Sequence, residues 1–130
     1  MFDKPIFVFT TDIDWASEYC IHALLKAMSE RDVIPTAFAT HESPTLNKAY
    51  ASGHVKIGIH PNFLPGSSHG KTRDEVVDHV FKLFPNARFF RSHAMVDDSH
   101  ISMAMKKRNI LYDSNLCLYL QRGLVPLHHW

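Results

Sequence analysis

Residues 5–16 read PIFVFTTDIDWA, an apolar and β-rich run that stops at the first of two aspartates. The run from Pro5 to Thr11 has no helical period, which predicts a strand buried on both faces of a parallel sheet. From Trp15 to Arg31 apolar residues, Cys20 and Ala23 among them, recur every three or four positions, which predicts an amphipathic helix. A strand followed by a helix is half of a βαβ unit, so this stretch predicts an α/β fold.

The rest of the chain repeats this alternation. Further strands are predicted at Val33–Ala39, Val55–Ile59, Ala87–Phe90 and Ile110–Tyr112. Further helices are predicted at Pro44–Ser52, from the Thr72–Glu75 capping box to Pro85, and at Ser99–Arg108. Leu116–Leu120 fits a sixth strand or a loop, and Pro61–Lys71 reads as a long polar loop. We therefore predict one α/β domain over residues 1–130, with parallel strands alternating with helices.

The composition is that of a folded domain and excludes several classes of protein. The chain has 130 residues, 45% hydrophobic and 21% charged. Fourteen Lys and Arg against 13 Asp and Glu leave a net charge of +1, so no bulk field favours nucleic acid or an anionic membrane. No run approaches the ~18 apolar residues of a membrane span, and the start lacks a signal-peptide pattern, which predicts a cytoplasmic location.

The two cysteines, Cys20 and Cys117, fall outside any Cys-x-x-Cys spacing. This argues against a zinc ribbon, a redox motif or a disulfide framework. We expect both to be small buried hydrophobic residues. The ten histidines are the unusual feature of the composition, because neutral imidazole both binds metals and carries protons near neutral pH.

Chemically active side chains cluster where the predicted strands end. In chain order these candidates are Asp12, Asp14, His60, His69, Arg91 and His93. Since the carboxyl ends of parallel strands lie side by side, we expect the candidates to converge on one rim of the sheet. Four other histidines have no such placement and are expected to be solvated or packed: His22, His54, His79 and His100.

Two imidazoles and a carboxylate on this rim would make a metal site. His60 and His69 share one loop, and a carboxylate from the first strand completes a set of three ligands with an open position, as a hydrolytic metal ion requires. Asp14 has a plainer alternative as the N-cap of the helix beginning at Trp15. Asp12 directly follows an apolar strand, where a carboxylate is costly unless it is used.

Arg91 and His93 add a fixed positive charge and a titratable group. Arg91 would hold a carboxylate in its ionised form, and His93 would donate a proton to a leaving group. The alternative for this pair is an ordinary salt bridge beside a hydrogen-bonded polar residue.

Three segments resemble the motifs of polysaccharide deacetylases of the carbohydrate esterase type, particularly the divergent deacetylase-like proteins of surface-polysaccharide biosynthesis. They are FTTDIDWA (9–16), IGIHPNFLPGSSHG (57–70) and FFRSHAM (89–95). The resemblance implies part of a distorted (β/α) barrel. It also implies metal-dependent removal of an N- or O-acetyl group from an acetylated sugar.

Carried over by position, the resemblance makes Asp12 the catalytic base, with Arg91 orienting it. The metal ligands would be Asp14, His60 and His69. Zinc is the expected divalent metal, although nickel, cobalt or iron would suit the same ligands. His93 stands where the family usually has proline, so its role as an acid comes from its chemistry alone.

The resemblance covers only the amino-terminal half of the family's domain. A (β/α) barrel typically needs about 250 residues. We therefore expect residues 1–130 to be either a piece of a larger barrel or a half-barrel that forms a homo-oligomer to cover its open sheet edge.

Two other functions compete with the deacetylase. The first is a catalytically incomplete module of the same fold that binds a sugar or a metal. The second is a phosphate-handling α/β protein, because Asp-x-Asp after a first strand also occurs in phosphotransferases. Those enzymes use Mg²⁺, which prefers oxygen ligands, so a rim rich in histidine disfavours them.

Overall fold

A computed structural model describes residues 7–116 of the chain. Within that range the strands β1 to β5 are Thr10–Asp14, Thr36–Ala39, Lys56–Ile59, Phe89–Phe90 and Tyr112–Asp113. The helices α1 to α4 are Glu18–Ser29, Pro44–Ala51, Arg73–Leu83 and Ser99–Lys107. A 3₁₀ turn at His93–Met95 follows β4. The strict alternation of strand and helix confirms the predicted α/β class.

The sheet is wholly parallel, with the strands in the order β1-β2-β3-β4-β5. Each new strand is added beside the preceding one, always on the same side. This is the winding of a (β/α) barrel, in which helices cover the outside of the sheet. β1 and β5 are therefore the two edges of the described sheet.

The first strand differs from its prediction at both ends. β1 begins at Thr10 and continues to Asp14. The side chains of Phe7, Val8 and Phe9 lie before it and are exposed, Phe7 to 82%. The prediction of burial on both faces is therefore wrong for these residues, which precede the first strand of the described sheet. Thr10 is exposed and Thr11 is half-buried, while Pro5 and Ile6 and the predicted segment at residues 117–120 lie outside the described residues.

Helix α1 begins later than its prediction because Ser17 caps it. The Ser17 side chain accepts a hydrogen bond from the Cys20 amide, so Asp14 is not the N-cap. Cys20 is exposed, and the prediction that it is buried is wrong; Cys117 lies outside the described residues. The face of the helix that packs on the core is formed by Ile21, Leu24 and Leu25.

The remaining helices begin as the sequence indicates. Ser43 caps α2 and Asp98 caps α4. Thr72 and Glu75 form the complete capping box of α3. None of the described helices is long and apolar enough to cross a membrane. The helices pack on one face of the sheet and bury a core that includes Ile13, Ile21, Ala37, Ala39, Leu46, Val55, Ile59, Val77, Val80, Phe90, Ile101 and Met105.

The opposite face of the sheet carries an aromatic layer. Because side chains alternate along a strand, Phe38, Gly58 and Phe89 point away from the helices. Phe89 stacks on Tyr112 with 5.1 Å between ring centroids. The guanidinium carbon of Arg91 lies 4.5 Å from the centroid of the Phe38 ring. This aromatic layer lies beneath the rim of the sheet on which the predicted site residues are located.

We expect Gly58→Ala to destabilise the fold. A Cβ atom at Gly58 would lie 2.7 Å from a Phe38 ring carbon and 3.0 Å from the Phe89 Cβ. Overpacking of this kind costs about 1–3 kcal/mol of unfolding free energy, measured by urea titration. Phe38→Leu should relieve the contact, so the double variant should lose less than the sum of the single changes. Strict additivity would contradict the packing explanation.

Candidate active site

The carboxyl ends of β1, β3 and β4 form one rim of the sheet. The structure brings five of the predicted side chains together there: Asp12, Asp14, His60, Arg91 and His93. They form two adjoining groups, one around Asp14 and one around Asp12.

Asp14 lies against two imidazoles. Its Oδ1 is 2.9 Å from the Nδ1 of His93 and 3.3 Å from the Nε2 of His60. One ligand atom from each of the three residues lies within 4.8 Å of the others. His60 is buried, whereas the Asp14 side chain is 51% exposed. The group therefore has a closed side towards the protein and an open side towards solvent.

A β-bulge separates the two aspartates. Asp12 pairs with Phe38 and Asp14 pairs with Ala39, so Ile13 is an extra residue in β1. Asp14 also has a φ of 45°, the left-handed region that few residues other than glycine adopt. As a result Asp12 faces Arg91 while Asp14 faces the histidines.

Hydrogen bonding fixes the tautomer of His60. Its Nδ1 lies 2.6 Å from the carbonyl oxygen of Arg91, which can only accept, so Nδ1 carries the proton. The lone pair of Nε2 then points to Asp14. Burial lowers the pKa of His60, against the opposing effect of the Asp12 charge. The residue is thus held in the neutral form in which histidine binds metals.

Arg91 pairs with Asp12 and is itself held from several sides. Its Nη1 donates to the Oδ1 of Asp12 at 2.9 Å, and its Nη2 donates to the Oγ atoms of Thr10 and Ser114. Its Nε donates to the Ser114 carbonyl, and its guanidinium lies over the Phe38 ring. A guanidinium bound so completely is rigid, so the carboxylate paired with it has a defined orientation.

His69 lies outside the group around Asp14. Its Nδ1 accepts a hydrogen bond from the Asn62 amide, so the neutral ring carries its proton on Nε2. That Nε2 is buried. The ring stacks on His79 at 4.9 Å. In this geometry His69 is not among the atoms gathered around Asp14, and its role as a metal ligand stays a prediction.

Two histidines differ from expectation at the rim. His93 was expected to act as an acid, yet its Nδ1 lies among the atoms around Asp14. His41 was not identified from the sequence, although it lies two residues after the end of β2 and its Nδ1 is 3.0 Å from the Asp14 carbonyl oxygen. The strand-end rule that found the other residues would also have found His41. The four histidines expected away from the site are exposed or half-buried: His22, His54, His79 and His100.

Comparison with known sequences identifies the family. The sequence model of the WbmS-like polysaccharide deacetylases matches residues 9–130. The chain belongs to this family. The predicted resemblance is therefore confirmed. No curated protein sequence is significantly similar to the chain.

Solved structures of similar fold include a protein assigned as a polysaccharide deacetylase involved in O-antigen biosynthesis in Bordetella bronchiseptica. It is 29% identical, with a TM-score of 0.82 over 95% of this chain. This chain spans 53% of the length of that protein. A pseudoenzyme of the CE4 family from Bacillus anthracis shares the fold at 13% identity, with a TM-score of 0.53 over 82% of this chain and 42% of its own. A mutant CE4 pseudoenzyme with restored activity is 14% identical, with a TM-score of 0.58 over 86% of this chain and 45% of its own.

We expect His69 to make the protein less stable in acid. Burial, and then the neighbouring His79, lower the pKa of His69 from 6.5 to about 4. Between these two values the unfolded chain binds a proton that the folded chain does not, so the free energy of unfolding falls as the pH falls. The total loss is on the order of 3 kcal/mol.

The variant His69→Asn tests this expectation, since its amide oxygen can still accept the hydrogen bond from Asn62. Urea titrations across this pH range should show a flatter dependence of stability on pH in the variant than in the parent. Parallel curves for the two proteins would contradict the assignment of the acid sensitivity to His69.

Proposed function

We propose that the chain carries the metal-binding and base-bearing part of a metal-dependent carbohydrate deacetylase. The reaction is hydrolysis of an acetyl group from an acetylated amino-sugar or sugar. The observation that carries the proposal is the group of one carboxylate oxygen and two imidazole nitrogens within 4.8 Å, beside an aspartate held by an arginine.

The residues around Asp14 fit a cation. The lone pair of His60 Nε2 faces the Asp14 carboxylate at 3.3 Å, and two electron-rich atoms so placed repel each other unless a positive charge is shared between them. A second proton on His60 would supply that charge, but burial disfavours the imidazolium form. A divalent ion supplies it without a charged imidazole, with His93 Nδ1 as the third ligand atom.

The ligand types narrow the choice of metal. Two histidines and a carboxylate are the donors of hydrolytic zinc sites, and nickel, cobalt and iron accept the same set. Such an ion polarises an acetyl carbonyl and lowers the pKa of water. We propose zinc as the resident ion.

Asp12 is the proposed general base. Its Oδ1 accepts from Arg91, so Oδ2 is the oxygen that would take a proton from the attacking water. The hydrogen bond from Arg91 holds this carboxylate in a fixed orientation at the rim. Since His93 is proposed as a ligand, the proton for the leaving group has to come from another residue.

The proposed substrate is an acetylated carbohydrate. The similar Bordetella protein is assigned to O-antigen biosynthesis, which supports a surface polysaccharide or its precursor as the source of the sugar. Trp15 adjoins the His93 ring at 5.4 Å and is 47% exposed, so its indole offers an apolar face beside the proposed ion. The cytoplasmic location stays a prediction.

We expect the purified chain to bind one Zn²⁺ through the group around Asp14. His60→Ala and His93→Ala should each weaken binding by more than the roughly 10- to 100-fold that outer-shell changes cost. His69→Asn, the matched control, should keep the parent affinity. Isothermal titration with a competing chelator measures these constants. Loss of binding in His69→Asn with binding retained in His93→Ala would overturn the proposed ligand set.

We expect Asp12→Asn to abolish hydrolysis and leave zinc affinity intact. Loss of a general base costs about 10²- to 10⁴-fold in rate, measured as acetate released from an acetylated amino-sugar by the zinc-loaded chain. Asp32→Asn makes the same change at an exposed site and should have no effect. Equal, slow release by the parent and Asp12→Asn would favour the alternative function, a module that binds metal or sugar without turnover.

A further inference from the structure

His41 contacts the backbone of the proposed ligand Asp14. It follows β2, is half-buried, and places its Nδ1 3.0 Å from the backbone carbonyl oxygen of Asp14. The same Nδ1 is 3.0 Å from the Oγ1 of Thr40, which is itself buried. The contact is to the main chain of Asp14, so His41 can act on the orientation of this residue without binding the ion.

The backbone of Asp14 is the part of the site that needs support. A left-handed φ of 45° is uncommon outside glycine, and although aspartate adopts it more readily than most residues, contacts from the surroundings help to hold it. One contact that holds it is the turn in which the Ala16 amide donates to the Ile13 carbonyl. A further contact is the pairing of Asp14 with Ala39 of β2, and another comes from His41, which reaches Asp14 across the end of that strand.

The direction of this hydrogen bond follows from its partners. A carbonyl oxygen only accepts, so the Nδ1 of His41 must carry the proton that satisfies Asp14. Thr40 Oγ1 then takes a second branch of the same N–H as an acceptor. The tautomer of His41 is thereby fixed with its proton towards the strand end.

The conformation of Asp14 decides where its carboxylate points. With the bulge at Ile13 and the left-handed φ, the Oδ1 of Asp14 reaches both His60 and His93. Without that conformation an extended Asp14 would follow the alternation of β1, and its side chain would leave the histidines. The orientation of this carboxylate is therefore a property of the backbone and not of the side-chain rotamer alone.

We propose that His41 is a positioning residue, which holds the left-handed backbone of Asp14 and so pre-forms the metal-binding group. The expected effect of His41 on metal affinity rests on the proposed function. Its effect on the backbone conformation of Asp14 can be tested in the metal-free protein.

The test uses two substitutions of His41 in the full chain. His41→Asn places an amide N–H close to the position of Nδ1 and should preserve the contact with Asp14. His41→Phe keeps a ring but removes the donor. His54→Phe, at an exposed histidine far along the chain, is the matched control. His41→Gln, which moves the amide one bond outward, serves as a second loss variant should His41→Phe fold poorly.

One measurement tests the effect of His41 on metal affinity, and a second tests its effect on the backbone of Asp14. Affinity for Co²⁺, followed by its visible absorption, should fall about 10- to 100-fold in His41→Phe and stay at the parent value in His41→Asn and His54→Phe. In the metal-free proteins, the backbone chemical shifts of Asp14 should report a left-handed residue in the parent and His41→Asn, and an altered one in His41→Phe.

Each outcome bears on a defined claim. Parent-like shifts for Asp14 in His41→Phe, or unchanged Co²⁺ affinity despite altered shifts, would overturn the positioning role. A loss in His41→Asn equal to that in His41→Phe would also overturn it, because the donor would not be the decisive feature. A parent that binds no Co²⁺ would defeat the proposed function, while the Asp14 shifts would still decide the role of His41.

Discussion

The hydrogen bonds of Arg91 are the interaction on which the geometry of the rim depends. The residue follows β4, yet its guanidinium reaches Thr10 and Asp12 on β1 and Ser114 beyond β5. β1 and β5 are opposite edges of the described sheet, so a single side chain can join them only because the sheet curves strongly. The guanidinium lies over the Phe38 ring, and this ring leaves no room for a side chain at Gly58 on the neighbouring strand. Arg91 also accepts from His60 through its carbonyl, so one residue orders both halves of the site.

The two aspartates acquire different roles from one irregularity in the backbone. In a regular strand Asp12 and Asp14 would project from the same side and repel each other. The extra residue, Ile13, enters the helix-facing core and rotates the chain between them. Asp12 can then be neutralised by Arg91, while Asp14 is left facing two imidazoles. The two carboxylates therefore have different partners. This difference is the reason for proposing one of them as the base and the other as a metal ligand.

Much of this arrangement could be predicted from the sequence, for physical reasons that are specific to each residue. The rim position of Asp12, His60 and Arg91 follows from the ends of parallel strands, a rule that depends only on the order of the elements. The position of His69 outside the group around Asp14 could not be predicted, because it depends on how the loop at Pro61–Lys71 folds and on one hydrogen bond from the Asn62 amide. The start of α1 was misplaced because the bulge and the turn after Asp14 consume the residues that periodicity assigned to the helix. His41 needed no structure to be found, only the same rule applied to β2.

The topology also implies an order of assembly. Every strand pairs with its successor in the chain, so each βαβ unit can form from residues close together in sequence. The contacts of the site are of another kind, since Arg91 with Asp12 and His93 with Asp14 each join residues 79 positions apart. The entropy of closing so long a loop is recovered only once the intervening strands are in place. We therefore expect the contacts of the rim to form only after the units between β1 and β4 have docked.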